Sequence, residues 1–303
     1  MADKVSINRF NGDLQQSLRL GISLIDGLKG AKEPFLIKPN LCTEIDASGA
    51  ATSSTIFLKA IVDIILGEDR KAAVKIIESD SSDKWIAKAF ENLGYVKLVE
   101  EYRQQGYDIS LINLSNEPTT SILLEGTHFK TLRLPTILTQ PRIFISLAKA
   151  KTHTLTQITG ALKNQFGCLP EKNKTKYHKY IDMVIVDINK AVKPDLTIID
   201  AITGLEGVTD GRIREIGIIL CGKQPASTDA VLARVMGFTP SKIGHITLAV
   251  EHGLGELDPE VVGETVADVA VKFQRPLNLV GTLGRHAPES LVPLARKIYQ
   301  KLR

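Results

Sequence analysis

The chain has 303 residues, 43% apolar and 24% charged, with 38 basic against 34 acidic side chains and a formal net charge of +4. That length suffices for a full hydrophobic core, and the composition excludes disordered, collagen-like and small disulfide-stapled classes. The overall charge is too mild to mark a nucleic-acid binder, and three scattered cysteines, Cys42, Cys168 and Cys221, build neither a disulfide framework nor a cysteine-only metal site.

Apolar runs such as residues 61–66, broken by Asp63, fall far short of the roughly 20 residues a spanning helix needs. The start, Met1-Ala-Asp-Lys, has no hydrophobic signal core. A cytoplasmic protein with free thiols and no membrane partner is expected. In chain order, residues 34–39 read as a strand, and 52–69 as a helix through Phe57, Ile61, Ile64 and Ile65. Residues 71–79 form a second strand, 83–93 a helix capped by Asp83 and closed by Gly94, and 108–114 a third strand. Residues 121–124 and 129–134, separated by Glu-Gly-Thr-His, read as an antiparallel hairpin insertion. Strands follow at 142–147, 196–200 and 213–220, and helices at 158–166, 180–192 and 228–236. Apolar patterning continues through 243–250, 266–273 and 291–302 without a polar linker. The expectation is one α/β domain over 1–303, a mostly parallel sheet flanked by helices, with ligand sites outside the carboxyl ends of strands.

Polar residues gather at those ends. From Lys149 to Lys179 there are seven lysines against one acid, Glu171. Ammonium groups, threonine hydroxyls and the free N–H groups of a helix start suit a phosphate or carboxylate. Lys151 and Lys163 flank a threonine-rich run that contains Thr159, whereas Lys172, Lys174, Lys176 and Lys179 read as a solvated loop. His153 and His178 lie in the same segment, and the surrounding lysines favour their neutral forms, which serve as general base or metal ligand. A second constellation, Lys38-Pro-Asn40, emerges directly after the first strand, because Pro39 cannot continue a central ladder. Asp80 ends the next strand. A third, Asp200-Ala-Ile-Thr-Gly-Leu-Glu206-Gly207, places two carboxylates on a glycine-bracketed turn that can hold a hard divalent cation. Asp229 reads as a first-turn acid complementing a helix dipole. The glycines match neither the dinucleotide nor the P-loop pattern. Cys42 and Cys168 sit beside these groups but read as inert. Loops 43–51 and 171–177 have the composition of lids.

The ordered set Lys38-Pro-Asn-Leu, Lys151-Thr-His, Thr159-Gly-Ala-Leu-Lys-Asn-Gln-Phe-Gly167, His178, Asp200-Ala-Ile-Thr-Gly-Leu-Glu-Gly207 and Thr228-Asp-Ala230 resembles the domain of unknown function 362 family over about residues 34–255. The resemblance implies an α/β cytoplasmic protein of prokaryotic type from a family with no general activity assigned. Many relatives carry an appended ferredoxin-like segment; this sequence shows none, so no iron–sulfur cluster is expected from this chain alone. A looser architectural likeness is to the lactate racemase type of protein.

The leading expectation is an enzyme acting on a small anionic metabolite. Lys38, Lys151 and Lys163 bind its carboxylate or phosphate, Asn40, Thr159, Asn164 and His178 complete the binding set, and His153 is the general acid or base, with Lys151 and Lys163 beside it. Asp200 and Glu206 hold a divalent metal or act as the opposing proton acceptor. The alternative is a non-catalytic redox or metal-handling accessory that docks a carrier protein. Nucleic acid ranks last, because 5% aromatic content offers few stacking platforms.

Overall fold

The computed structural model describes residues 2–28, 30, 34–82 and 84–276. Short Val/Ile/Leu runs form strands where polar turns bound them, and three of the described α-helices begin at a capping side chain. The opening elements are β1 (Lys4–Arg9), α1 (Leu14–Ser23), β2 (Phe35–Pro39), α2 (Thr55–Glu68), β3 (Val74–Glu78), α3 (Ile86–Asn92), α4 (Tyr95–Gln104) and β4 (Ile109–Asn113). Next come β5 (Thr119–Leu123), β6 (Thr131–Pro135), β7 (Ile143–His153), β8 (Gln157–Thr159), α5 (Ala161–Asn164) and α6 (Ile181–Ala191). The chain continues with β9 (Leu196–Gly207), β10 (Gly211–Gly222), α7 (Pro225–Val235), α8 (Gly244–Glu251), β11 (Glu260–Gly263) and α9 (Val266–Val269). Asp13 accepts the Gln16 N–H to start α1, and Ser54 accepts the Phe57 N–H to start α2. Each such cap is worth about 1 kcal/mol.

Nine strands among the described residues form one mixed sheet, in the order β11-β1-β10-β9-β7-β2-β3-β4 with β8 folded back on β7. The strands β9, β7, β2, β3 and β4 run parallel, and β10 and β1 add an antiparallel wing. Successive residues of the central strands enter opposite cores. Leu36, Phe144 and Ile199 pack under α5 to α8, while Ile37, Ile145 and Ile198 pack under α1 to α4. This two-sided burial explains their unbroken apolar runs. The chain winds from β2 outward through β3 to β4, then returns across the sheet to β7 on the other side of β2 and on to β9. The boundary between β2 and β7 is therefore a topological switch point, where the two winding directions open a crevice at the strands' carboxyl ends.

The expected mostly parallel sheet with flanking helices is present, and the hairpin insertion is the separate β5–β6 pair. Several local expectations change. The expected helix over 158–166 is instead the short strand β8, a single turn of α5 and a 3-10 turn at Gln165–Cys168, because β7 runs on to His153 and pairs with its own continuation. The supposed turn after Asp200 is strand: β9 continues to Gly207 and pairs with β10, so Glu206 sits opposite Arg212 rather than on a mobile loop. Within the apolar stretch 266–273, Val266–Val269 is helical. The expected Asp83 cap and the apolar stretch 291–302 lie outside the described residues.

Candidate functional site

At the β2/β7 switch point lies a cavity of about 220 Å³. Lys38 enters it from the end of β2, Glu78 from the end of β3, and Lys151 and His153 from the end of β7. Thr159, Lys163 and Asn164 come from β8 and α5, and Lys174 and His178 from the loop and short helix before α6. Asn40, Cys42 and Lys84 complete the opposite wall. Eight of the residues singled out in sequence thus converge: Lys38, Asn40, Lys151, His153, Thr159, Lys163, Asn164 and His178.

Among the described residues five lysines, Lys38, Lys84, Lys151, Lys163 and Lys174, face this cavity against one carboxylate, Glu78. Four of them are fixed by oxygen acceptors. Lys38 Nζ donates to Glu78 Oε2 at 2.7 Å, with Asn164 Oδ1 at 3.3 Å. Lys84 Nζ donates to the Leu41 carbonyl at 2.8 Å and lies 3.7 Å from Glu78 Oε1. Lys151 Nζ donates to the carbonyls of Ala51 at 2.7 Å and Val208 at 3.0 Å, with Cys42 Sγ at 3.2 Å. Lys174 Nζ donates to Ser79 Oγ and to the Asp80 carbonyl. Lys163 differs: its ammonium meets no oxygen among the described residues and lies 4.6 Å from the centre of the Phe166 ring.

These placements shape the titration of the site. Burial alone would raise the Glu78 carboxyl, but the Lys38 and Lys84 ammoniums beside it hold it below the ordinary value. Burial, reinforced by Lys151 and Lys38, pushes Lys163 down to about 8, and burial brings Lys174 to about 8 against the attraction of Glu78. His153 is held well below its ordinary 6.5 by burial and by Lys163 and Lys151. Its Nδ1 accepts the Leu155 N–H at 3.1 Å, so the neutral ring carries its proton on Nε2.

The surroundings make the site rigid. Asn164 Nδ2 donates to Ser146 Oγ at 2.9 Å and to the Lys38 carbonyl at 3.1 Å, which ties α5 to the strand ends. Asp229, fully buried in the middle of α7, accepts the N–H groups of Ala161 at 2.6 Å and Leu162 at 2.9 Å. It is thus an anchor for the start of α5 rather than a first-turn acid of its own helix. Gly160 is required by that contact, since a Cβ there would sit 2.1 Å from Asp229 Oδ1; at Gly167 a Cβ would sit 2.4 Å from Glu78 Oε1. Loop 43–51 is clamped, not free: Asp46 Oδ2 accepts the N–H groups of Ala51 and Thr52 and the Thr52 hydroxyl, and Lys151 grips the Ala51 carbonyl.

Other expectations are redrawn. Asp200 and Glu206 do not line the cavity. Asp200 takes Lys149 Nζ at 2.8 Å, while Glu206 takes the Gln274 N–H at 2.9 Å and lies 3.8 Å from Arg214. Each carboxylate is neutralised by its own cation, and no group of three or more His, Cys, Asp or Glu side chains suited to a metal ion occurs among the described residues. Asp80 also turns away, accepting the Ile86 N–H at 2.8 Å as the anchor of α3. Cys168 is buried and its thiol pushed up to about 12 by that burial, which makes it inert. Lys174 does not belong to a solvated face: it is buried in the site. Sequence reasoning missed Lys174, Lys84 and Glu78. Glu78 follows directly on the apolar run Ile76-Ile77 at the carboxyl end of β3, a strand-end signal that was available for Glu78.

The chain belongs to the DUF362 family, a domain of unknown function, whose family model matches residues 35–234. It is 27% identical over 295 residues to a thylakoid-associated protein of Synechocystis sp., covering 93% of this chain and 86% of that protein. Solved structures similar to it include the lactate racemase apoprotein from Thermoanaerobacterium thermosaccharolyticum, at a TM-score of 0.47 and 10% identity over 78% of this chain and 57% of that one. Another is a protein from Thermotoga maritima, at 0.43 and 10% identity over 78% and 58%. The chain therefore spans somewhat over half the length of these two structures. Among the described residues no helix is long and apolar enough to cross a membrane.

Proposed function

We propose that the cavity binds a small metabolite carrying carboxylate or phosphate groups, and that the chain is an enzyme that works on it by lysine and histidine acid–base chemistry. One observation carries this reading: among the described residues, five lysines surround a cavity of about 220 Å³ with a single carboxylate in its lining. Glu78 offsets only one of those charges, and burying ammonium groups without counter-charge is costly. A bound polyanion supplies the missing charge. The volume lies below the roughly 300–1,000 Å³ of drug-sized ligand sites, which suits a ligand of few heavy atoms. With its proton on Nε2, neutral His153 is a hydrogen-bond donor toward a substrate oxygen.

The test is thermal unfolding with inorganic phosphate, malonate and citrate against chloride at matched ionic strength. A ligand that binds the native state raises Tm. The expected result is a rise with at least one of these anions that Lys163→Gln weakens. Identical curves in all four salts would overturn the reading.

A further inference from the structure

We infer that Lys163 is a nucleophilic amine that forms a reversible imine with the carbonyl group of an anionic substrate seated among the other lysines of the cavity. The inference rests on the anion-site reading above and assigns that substrate a second feature, an aldehyde or ketone next to its carboxylate or phosphate.

The argument starts from what each ammonium touches. Lys38, Lys84, Lys151 and Lys174 each donate to at least one fixed oxygen, so their ammonium groups are held in place and committed to those acceptors. Lys163 lines the same cavity with no oxygen acceptor among the described residues, resting instead against the Phe166 ring at 4.6 Å. An amine next to other cations and an apolar surface is the arrangement that frees a lysine for attack on a carbonyl. Its backbone is held: the Asp229 carboxylate anchors the α5 start two residues earlier, and neighbouring Asn164 is bonded to Ser146 and to the Lys38 carbonyl. The aliphatic stem is therefore aimed from a fixed base while its tip is uncommitted. Burial and the charges of Lys151 and Lys38 bring the amine to about 8, so a usable neutral fraction exists near neutral pH. Lys163 is also the strongest charged neighbour of His153, which places the ring within electrostatic reach of the amine.

The step balances without a redox partner. The ammonium gives one proton to water, its freed lone pair forms a C–N bond to the carbonyl carbon as the C=O π bond breaks, and the oxygen, hydrogen-bonded by His153 Nε2–H, takes a proton back from water to give a protonated carbinolamine. A further N–H proton passes to the hydroxyl, which leaves as water as the C=N bond forms, giving the protonated imine.

Glyoxylate, a carboxylate with an adjacent aldehyde, is the probe. The full chain is incubated with it and cyanoborohydride, and the product is mapped by peptide mass spectrometry. The expected outcome is one carboxymethyl group, on Lys163, at least tenfold faster than on exposed Lys176. The rate should rise as pH passes through about 8 and fall when inorganic phosphate competes. Acetaldehyde, which lacks the anion, should show no such preference for Lys163. Lys163→Arg keeps the charge but not the nucleophile, and is expected to abolish the fast labelling. Labelling spread evenly over exposed lysines, or concentrated on Lys174, would overturn the inference. If the phosphate-induced rise persists in either case, the anion site stands and only the imine falls; if it is absent as well, both fall.

Discussion

Lys38 Nζ and Glu78 Oε2 meet at 2.7 Å at the carboxyl ends of adjacent parallel strands, with both side chains buried. Glu78 is shared: its other oxygen accepts the Ser79 N–H at 2.8 Å and faces Lys84 at 3.7 Å. One carboxylate therefore holds two ammonium groups at the floor of the cavity.

Removing it should be costly. Glu78→Ala leaves Lys38 and Lys84 buried without a counter-charge, and breaking a buried pair from one side typically costs about 3–5 kcal/mol. Urea unfolding at neutral pH is expected to show a loss of that order, part of which inorganic phosphate restores. The pH dependence has a definite sign. Because the folded carboxyl lies below its unfolded value, its contribution is present above the ordinary carboxylate range and is lost as pH falls through the folded value. An unchanged urea midpoint in Glu78→Ala would show that the pair is not holding the site.

Lys172 and Lys174, two positions apart in one lysine-rich loop, should behave differently. Lys174 is buried, lines the cavity and is bonded to Ser79, whereas Lys172 packs over the Trp85 ring outside. Lys174→Ala is expected to weaken phosphate binding about tenfold or more, in line with the roughly 1.5–3 kcal/mol of a hydrogen bond to a charged group. Lys172→Ala should leave affinity within about twofold. Calorimetric titration separates the two, and equal losses would point to a diffuse surface potential instead of a built site.

His245 gives a pH-dependent prediction away from the cavity. It is fully buried on α8, neither ring nitrogen has a hydrogen-bond partner among the described residues, and burial, with Lys163, pushes it down to about 3. Below about 6.5 the unfolded chain takes up a proton that the folded chain refuses, so stability falls as pH drops from there toward 3. The slope from this residue is at most about 1.4 kcal/mol per pH unit. His245→Phe should flatten the stability curve between pH 6.5 and 4 relative to the unaltered protein. His153, shifted in the same direction, keeps part of the slope. Parallel curves for the two proteins would mean that His245 is protonated inside the fold.

The sequence by itself determined the alternation of buried strands and helices, the β5–β6 insertion, and the lysines and histidines at strand ends. These are local features, carried by residue spacing and by polar groups directly after apolar runs. It did not distinguish β8 from a helix, because a three-residue strand that folds back on its predecessor has no period of its own. It overlooked β1, although Val5 and Ile7 alternate with polar residues, because six residues are a short window. Which acid neutralises which lysine was decided only in three dimensions. Asp200 stood out in the sequence and Glu78 did not, yet the register of β9 against β7 sets Asp200 opposite Lys149, while parallel pairing of β3 with β2 carries Glu78 to Lys38. Lys174 and Lys172 share a composition and a loop, and only the packing against Ser79 and Asp80 separates the buried cation of the site from the half-buried one over the Trp85 ring. Charge pairing at a few ångströms depends on which strands become neighbours, and strand order in a switched sheet is fixed by contacts between residues dozens of positions apart.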